Sequence, residues 1–190
     1  MKKLNRAVII ISRIFEVFMW VGCGLSLIIT VLFAVRKTDL LRYFTDVTPG
    51  TALLSSGNFS LRALNEAGQP VFGAFIIFFL MLVITLALMA MIARNVHLIF
   101  KTSEGRTRFS KGETPFQPDN VRMVREIGIF AIAIQAVKLL LSVIAGIALG
   151  PAAVESGVSL EGIFFGLVVL ALSQYFAYGM QLQNDVDGLV

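Results

Sequence analysis

Apolar and polar positions are segregated along this chain in long blocks rather than alternating residue by residue. Uncharged stretches run from Val17 to Val35, from Val71 to Ala93, from Ile127 to Val137 and on past Lys138 to Ala153, and from Gly162 to Asn184. Each matches or exceeds the roughly 20 residues that carry a helix across a bilayer. The pattern predicts an all-α membrane protein, a four-transmembrane-helix bundle forming one domain over residues 1–190, with spans at about 14–35, 71–93, 127–150 and 162–181.

The segments between the spans carry their own signals. In the 36–70 loop, Thr51-Ala52-Leu53-Leu54 and Phe59-Ser60-Leu61-Arg62 flank the turn-rich Ser55-Ser56-Gly57-Asn58, which reads as a β-hairpin within a small cap. In the 94–126 loop, Arg94, His97 and Lys101 share one face of a helix continuing out of the second span, a solvated face against phosphate headgroups. Gly105 to Gly112 then forms a basic turn region. At Phe116-Gln117-Pro118-Asp119-Asn120 a new helix starts, since proline suits the first helical position and an acidic residue the first turn. From Pro118 it runs to Gly150, where Pro151 stops it. That is about 50 Å of helix, so it projects beyond the bilayer as well as spanning it.

Faces of the last two spans differ in character. Gly128, Ala131, Gln135, Lys138, Ser142, Ala145 and Leu149 recur at spacings of three and four, and small and polar residues on one side of a membrane helix mark its packing face. Leu167, Ala171, Gln174, Tyr178, Gln181 and Asp185 form a comparable line on the fourth span, which places Gln135 and Gln174 at similar depths as neighbours. Gly146 and Gly150 on one helix and Gly162 and Gly166 on the other predict a close antiparallel contact at the outer end.

Composition fits the membrane reading: 57% of residues are hydrophobic and 15% charged, against about 25% charged in soluble domains. The net charge of +4 comes from basic residues beside the spans, where anionic headgroups attract them, so lipid rather than nucleic acid is the expected partner. Four Lys and Arg precede the first span, four follow it, seven lie in the second loop, and none occurs in the third connection or the tail. Placing the amino terminus inside puts eleven on the cytoplasmic side and four outside, as the positive-inside tendency favours. Both termini are therefore expected in the cytoplasm, the 36–70 cap outside, and the 94–126 loop as a helical cytoplasmic extension.

The chain holds one histidine, His97, and one cysteine, Cys23. A site of several imidazoles and a disulfide framework are both excluded. Trp20-Val21-Gly22-Cys23 only superficially matches a lipoprotein cleavage site, because Trp20 stands where a small aliphatic residue belongs and Arg13 and Glu16 interrupt the apolar stretch upstream. Asn58-Phe59-Ser60 is formally a glycosylation sequon, of a kind common by chance. No nucleophile and base pair, acidic cluster or metal set lies in the spans, so no catalytic residue, metal or cofactor is expected.

Lys138 has the most to explain, since a charged lysine at the centre of a span costs roughly 2.5–3.5 kcal/mol on insertion scales. No carboxylate lies at its level: Glu16 is at the cytoplasmic border of the first span, and Glu155 and Glu161 lie beyond the far end. One reading is a lysine that snorkels toward the cytoplasm, hydrogen-bonded to Gln135 and helix carbonyls. The other is that Lys138, Gln135, Gln174 and Tyr178 line a pocket for an acidic lipid or peptide terminus.

Two segments resemble a known family. Gly112-Glu113-Thr114-Pro115-Phe116 with Asn120-Val121-Arg122, Arg125, Ile127 and Gly128, and the ending Tyr175-Phe176-Ala177-Tyr178-Gly179 followed by Leu182 to Val190, are similar to the bacterial membrane proteins catalogued as domain of unknown function 2975. Gly188 and Gln117 depart from that pattern. The resemblance implies a bacterial inner-membrane protein without an assigned activity and, by association, a cytoplasmic helix-turn-helix regulator as partner. With both segments on the expected cytoplasmic side, Arg122 and Arg125 are expected to meet Asp185 and Asp187 in a clasp or partner contact. The functional expectation is a non-enzymatic sensor, regulatory or accessory subunit. The alternative is a peptide or lipid binding, transport or immunity protein, alone or in a larger membrane complex.

Overall fold

Proline and glycine punctuate the chain where its helices begin and end. The computed structural model describes residues 2–35, 53–65, 69–108, 110, 114–157 and 159–187. Expectations for Arg36, Lys37 and Arg42, for Thr51 and Ala52, for Lys111 to Glu113 and for Gly188 to Val190 lie outside the described residues, as does the side chain of Asp187. The elements are α1 (Lys2–Val35), β1 (Leu53–Ser56), β2 (Phe59–Arg62), α2 (Phe72–Ser103), α3 (Pro118–Leu149), a 3-10 turn (Pro151–Ala153), β3 (Val154–Ser156) and α4 (Leu160–Asp187). Among the described residues these four helices are each long and apolar enough to cross a membrane, which makes this a multi-pass membrane protein.

The long third helix starts and stops as the proline positions dictate. Gln117 accepts its first main-chain bond, from the Val121 N–H at 3.1 Å, and Pro118 and Asp119 occupy the first turn. Helix α2 ends in a Schellman closure: Arg106 N–H bonds to the Lys101 carbonyl and Gly105 N–H to that of Thr102, with Gly105 at φ 73°.

Contacts gather the chain into two compact units. The first comprises Met1–Trp20, Leu88–Ala133 and Leu160–Val190. Its helices are joined by polar side chains: the Nδ1–H of His97 on α2 donates to the Ile9 carbonyl on α1 at 3.0 Å, and the Asn95 amide donates to Glu126 Oε2 on α3 at 2.9 Å. His97, expected on a solvated face, is thus used as a cross-helix donor. Helices α3 and α4 come into close contact at Gly128 and Gly166. A Cβ built on Gly128 would lie 2.8 Å from the Gly166 carbonyl oxygen and from Leu170 Cγ.

That contact corrects the expected glycine pairing. Gly146 and Gly150 have no neighbouring atom within 4 Å of a built Cβ. The reason lies in the connection: residues after Gly150 form the 3-10 turn and strand β3, so α3 and α4 are not joined by a tight helical hairpin. Instead α4 runs antiparallel to the first half of α3, with Phe116 against Gly179 and Thr114 Oγ1 donating to Gln183 Oε1 at 2.8 Å.

The second unit comprises Val21–Ala87 and Ile134–Ser159. Phe33 of α1 is buried against α2, its ring stacked on Phe75 with centroids 5.0 Å apart. The expected hairpin is present, with Ser55 and Ser56, expected in the turn, continuing the first strand, and β3 adds to it in an antiparallel sheet of order β1-β2-β3. Sequence inspection misses β3. Its three residues, Val154, Glu155 and Ser156, are too few to show a period of two.

The sheet is two-sided. Leu54, Phe59, Leu61 and Val154 face inward and pack with Ala74, Phe78 and Met81 of α2 and Leu141 and Ala145 of α3, Phe59 and Leu61 being fully buried. On the other face Ser60 Oγ donates to Ser55 Oγ at 2.9 Å, and Arg62 pairs with Glu155 at 3.6 Å. On α3 the small and polar stripe is the packing face as expected: Gly128, Ala131, Ser142 and Ala145 are buried, while Leu139, Leu140, Val143 and Ile147 are exposed.

Candidate functional site

The hairpin turn and Lys138 make the first candidate locus. Gly57 has φ 59°, and no described non-glycine residue has a positive φ, so Gly57-Asn58 is a two-residue turn with the glycine first, the II′ arrangement. Lys138 Nζ donates to the Ser56 carbonyl at 3.3 Å. A Cβ on Gly57 would lie 3.3 Å from the same nitrogen, so the glycine also leaves room for the ammonium. The lysine therefore binds a main-chain oxygen of the hairpin rather than Gln135, and its stem points to the sheet. This corrects the snorkelling geometry, for a simple reason: the nearest acceptor lies in another element, 82 residues away in the chain. Gln135 is half-buried and its side chain makes no hydrogen bond among the described residues.

The other two residues of the expected pocket, Gln174 and Tyr178, belong to the first unit. Both are exposed, as are Leu167, Ala171, Gln181 and Asp185 of the same line. Helix α4 packs instead through Gly166, Leu170 and Ser173, the last only 1% exposed with its hydroxyl donating to the Leu170 carbonyl at 2.6 Å. Spacing of three and four puts these residues on one face but cannot say which side of a helix meets a neighbour, so the expected packing face of α4 is corrected to the one that carries Gly166 and Ser173.

The second locus is the junction between α2 and α3. Thr102, Gln117 and Asn120 are almost completely buried there. Asn120 Nδ2 donates to Ser103 Oγ at 3.1 Å and to the Pro115 carbonyl at 2.9 Å, and Gln117 Nε2 donates to the Thr114 carbonyl at 2.7 Å. These side chains fix the entry of α3 by satisfying main-chain oxygens that the preceding irregular segment leaves open. From sequence Gln117 and Asn120 belong only to the expected helix start, and Thr102 carries no signal. The available signal was a run of amides beside Pro115 and Pro118 in place of the usual hydroxyl cap.

Arg122 and Arg125 lie one turn further along α3. Arg122 pairs within its own helix, with Asp119 at 3.7 Å and Glu126 at 3.5 Å. Arg125 is exposed and has no ion pair among the described residues. Asp185 is likewise exposed and unpaired among them. The structure thus does not bring Arg122 and Asp185 together, and α4 is held to the start of α3 by Thr114, Gln183, Phe116 and Gly179.

Chemically, the first locus offers an ammonium with donors beyond the one used on Ser56. The second offers a rigid helix start that displays one paired and one unpaired guanidinium. Among the described residues no three His, Cys, Asp or Glu side chains converge as metal ligands. Compared with family models, curated proteins and solved structures, the chain matches none.

Proposed function

We propose that this is a non-enzymatic protein of the bacterial inner membrane, a sensor or regulatory subunit that couples an extracytoplasmic cue to a cytoplasmic partner. In this reading both termini are cytoplasmic, the three-stranded sheet lies on the extracytoplasmic half of the helices, and the basic extension of α2 and α3 is the output surface. The observation that supports it best is the Lys138–Ser56 bond. It ties the sheet to the helix whose first turns carry Arg122 and Arg125, so a ligand that displaces the hairpin acts on α3 itself. The resemblance to domain of unknown function 2975 adds a cytoplasmic helix-turn-helix regulator as the proposed partner.

The test is affinity purification from membranes of the natural chain and of the double charge reversal Arg122→Glu, Arg125→Glu. One defined cytoplasmic protein is expected with the former and not with the latter. Equal recovery overturns the output surface.

A lipid-binding role is the second reading, favoured by an apolar groove of about 310 Å³ between α1 and α2, lined by Val8, Ile11, Phe15, Met19, Met89 and Ile92. Its shape and lining suit an acyl chain. Native mass spectrometry checks it: a retained phospholipid that Met89→Trp excludes supports this reading, and a lipid-free protein opposes it.

A further inference from the structure

The apolar part of α3 extends from Ile127 to Leu149 with Lys138 at its midpoint, about 16 Å from either end. Met81 lies about 14 Å along α2 from Phe72 and Leu141 about 12 Å back from Leu149, yet both pack with Phe59 and Leu61 in one cluster. The hairpin consequently lies alongside the apolar segments rather than above them. Two independent contacts fix its depth, the Phe59 and Leu61 packing and the Lys138 bond.

The outward side of the sheet is largely polar, with Leu53 as an exposed apolar residue opposite Arg62. Ser55, Gly57, Asn58, Arg62 and Glu155 are exposed, and the Arg62 and Glu155 side chains each keep more than half of their surface accessible. Among the described residues β1 and β3 are the edge strands, each paired with β2 on one side only. Hydrocarbon does not tolerate exposed irregular backbone or an exposed ion pair; at membrane depth such groups occur only inside protein or along water.

We propose that a water-filled crevice follows the outward face of this sheet down to Lys138, and that it admits small hydrophilic anions. Its walls carry Ser55, Ser60 and the Arg62–Glu155 pair, whose charges offset each other. Its floor carries the Lys138 ammonium against Gly57 and the Ser56 carbonyl, at the turn that Asn58 completes. Among the described residues no carboxylate pairs with Lys138, and a positive charge at the narrow end of such a crevice concentrates anions there. The side from which it opens rests on the topology proposed above; its existence does not.

The test uses the full chain with its one cysteine removed, Cys23→Ala, and single replacements Ser55→Cys, Ser60→Cys and Asn58→Cys, with Leu140→Cys as the lipid-facing control. Intact cells and inverted vesicles are treated with two membrane-impermeant thiol reagents, a sulfonate-bearing and a trimethylammonium-bearing methanethiosulfonate. All three sheet positions are expected to react in intact cells and Leu140→Cys to remain unmodified. At Asn58→Cys the sulfonate is expected to react about tenfold faster than the ammonium reagent. Lys138→Gln should remove that preference and Lys138→Arg should keep it, a comparison made on proteins that migrate as the parent does in detergent.

Sheet positions that react only after denaturation, from either side, overturn the crevice. Reaction confined to inverted vesicles supports the crevice and overturns the outward topology. Equal rates for the two reagents overturn the anion preference.

Discussion

Lys138 Nζ bonds to the main-chain oxygen of Ser56 at 3.3 Å, joining the middle of a membrane helix to the turn of a β-hairpin. The contact exists because the turn is tight and bare. Gly57 supplies a φ of 59° and leaves the ammonium its space.

Gly57→Val should therefore be more damaging than an ordinary exposed substitution. A left-handed conformation costs a β-carbon-bearing residue roughly 1–2 kcal/mol, and a Cβ 3.3 Å from Lys138 Nζ presses on the bond as well. Thermal unfolding in detergent should report a loss of that order, together with release of the hairpin to proteolysis; a wild-type melting profile would show that the turn does not hold the sheet.

The inner face of the sheet makes a second comparison. Phe59 is completely buried between helices, whereas Leu53, in the neighbouring strand, is 48% exposed. Truncating a buried Phe to Ala costs about 3–5 kcal/mol, so Phe59→Ala is expected to lower the midpoint of unfolding sharply while Leu53→Ala leaves it nearly unchanged. Similar losses for both would mean that the sheet does not pack on α2 and α3 as described.

Glycines test the pairing of α3 and α4. Gly128→Leu and Gly166→Leu should each break the contact, since even a Cβ on either falls within 2.9 Å of the other's carbonyl oxygen. Gly146→Ala meets no atom within 4 Å, and by helix propensity it should be neutral or stabilising by about 0.5–1 kcal/mol. Gly166 belongs to both arrangements, so the midpoints of Gly128→Leu and Gly146→Ala decide between this register and an outer-end glycine contact, which predicts the reverse ranking of those two.

Two double-mutant cycles separate the attachment of α4 seen here from an ionic clasp. Thr114→Val with Gln183→Leu should show a coupling of about 0.5–1.5 kcal/mol, the usual net worth of a hydrogen bond. Arg122→Ala with Asp185→Ala should show none, because Arg122 is engaged by Asp119 and Glu126. Coupling in the second cycle alone would establish the clasp.

A last comparison concerns the exposed line on α4. Gln174→Leu and Tyr178→Phe should leave the isolated protein's stability within about 0.5 kcal/mol, as is usual for exposed positions. Ser173→Leu, at a site 1% exposed, should destabilise it through overpacking by about 1–3 kcal/mol. Detergent melts of the three variants check this, and a large loss at Gln174 would place that side chain inside the packed structure.

The amino-acid sequence by itself determined the four spans, the hairpin around Gly57, the start of α3 at Pro118 and its stop before Pro151. These are local properties, set by the length of apolar runs, by proline's missing N–H and by glycine's access to positive φ. It also identified the packing face of α3, because small residues on one side leave only that side able to approach a neighbour closely. What joins that face was decided by tertiary structure alone. Strand β3 exists because β2 offers it an edge, Gly128 meets Gly166 because the chain after Gly150 goes to the sheet, and Gln174 lies on an exposed face because Gly166 and Ser173 fill the packed one. The same holds for Lys138. Its charge and depth are written in the chain, but its acceptor is a main-chain oxygen, which every residue has and which only folding brings within reach.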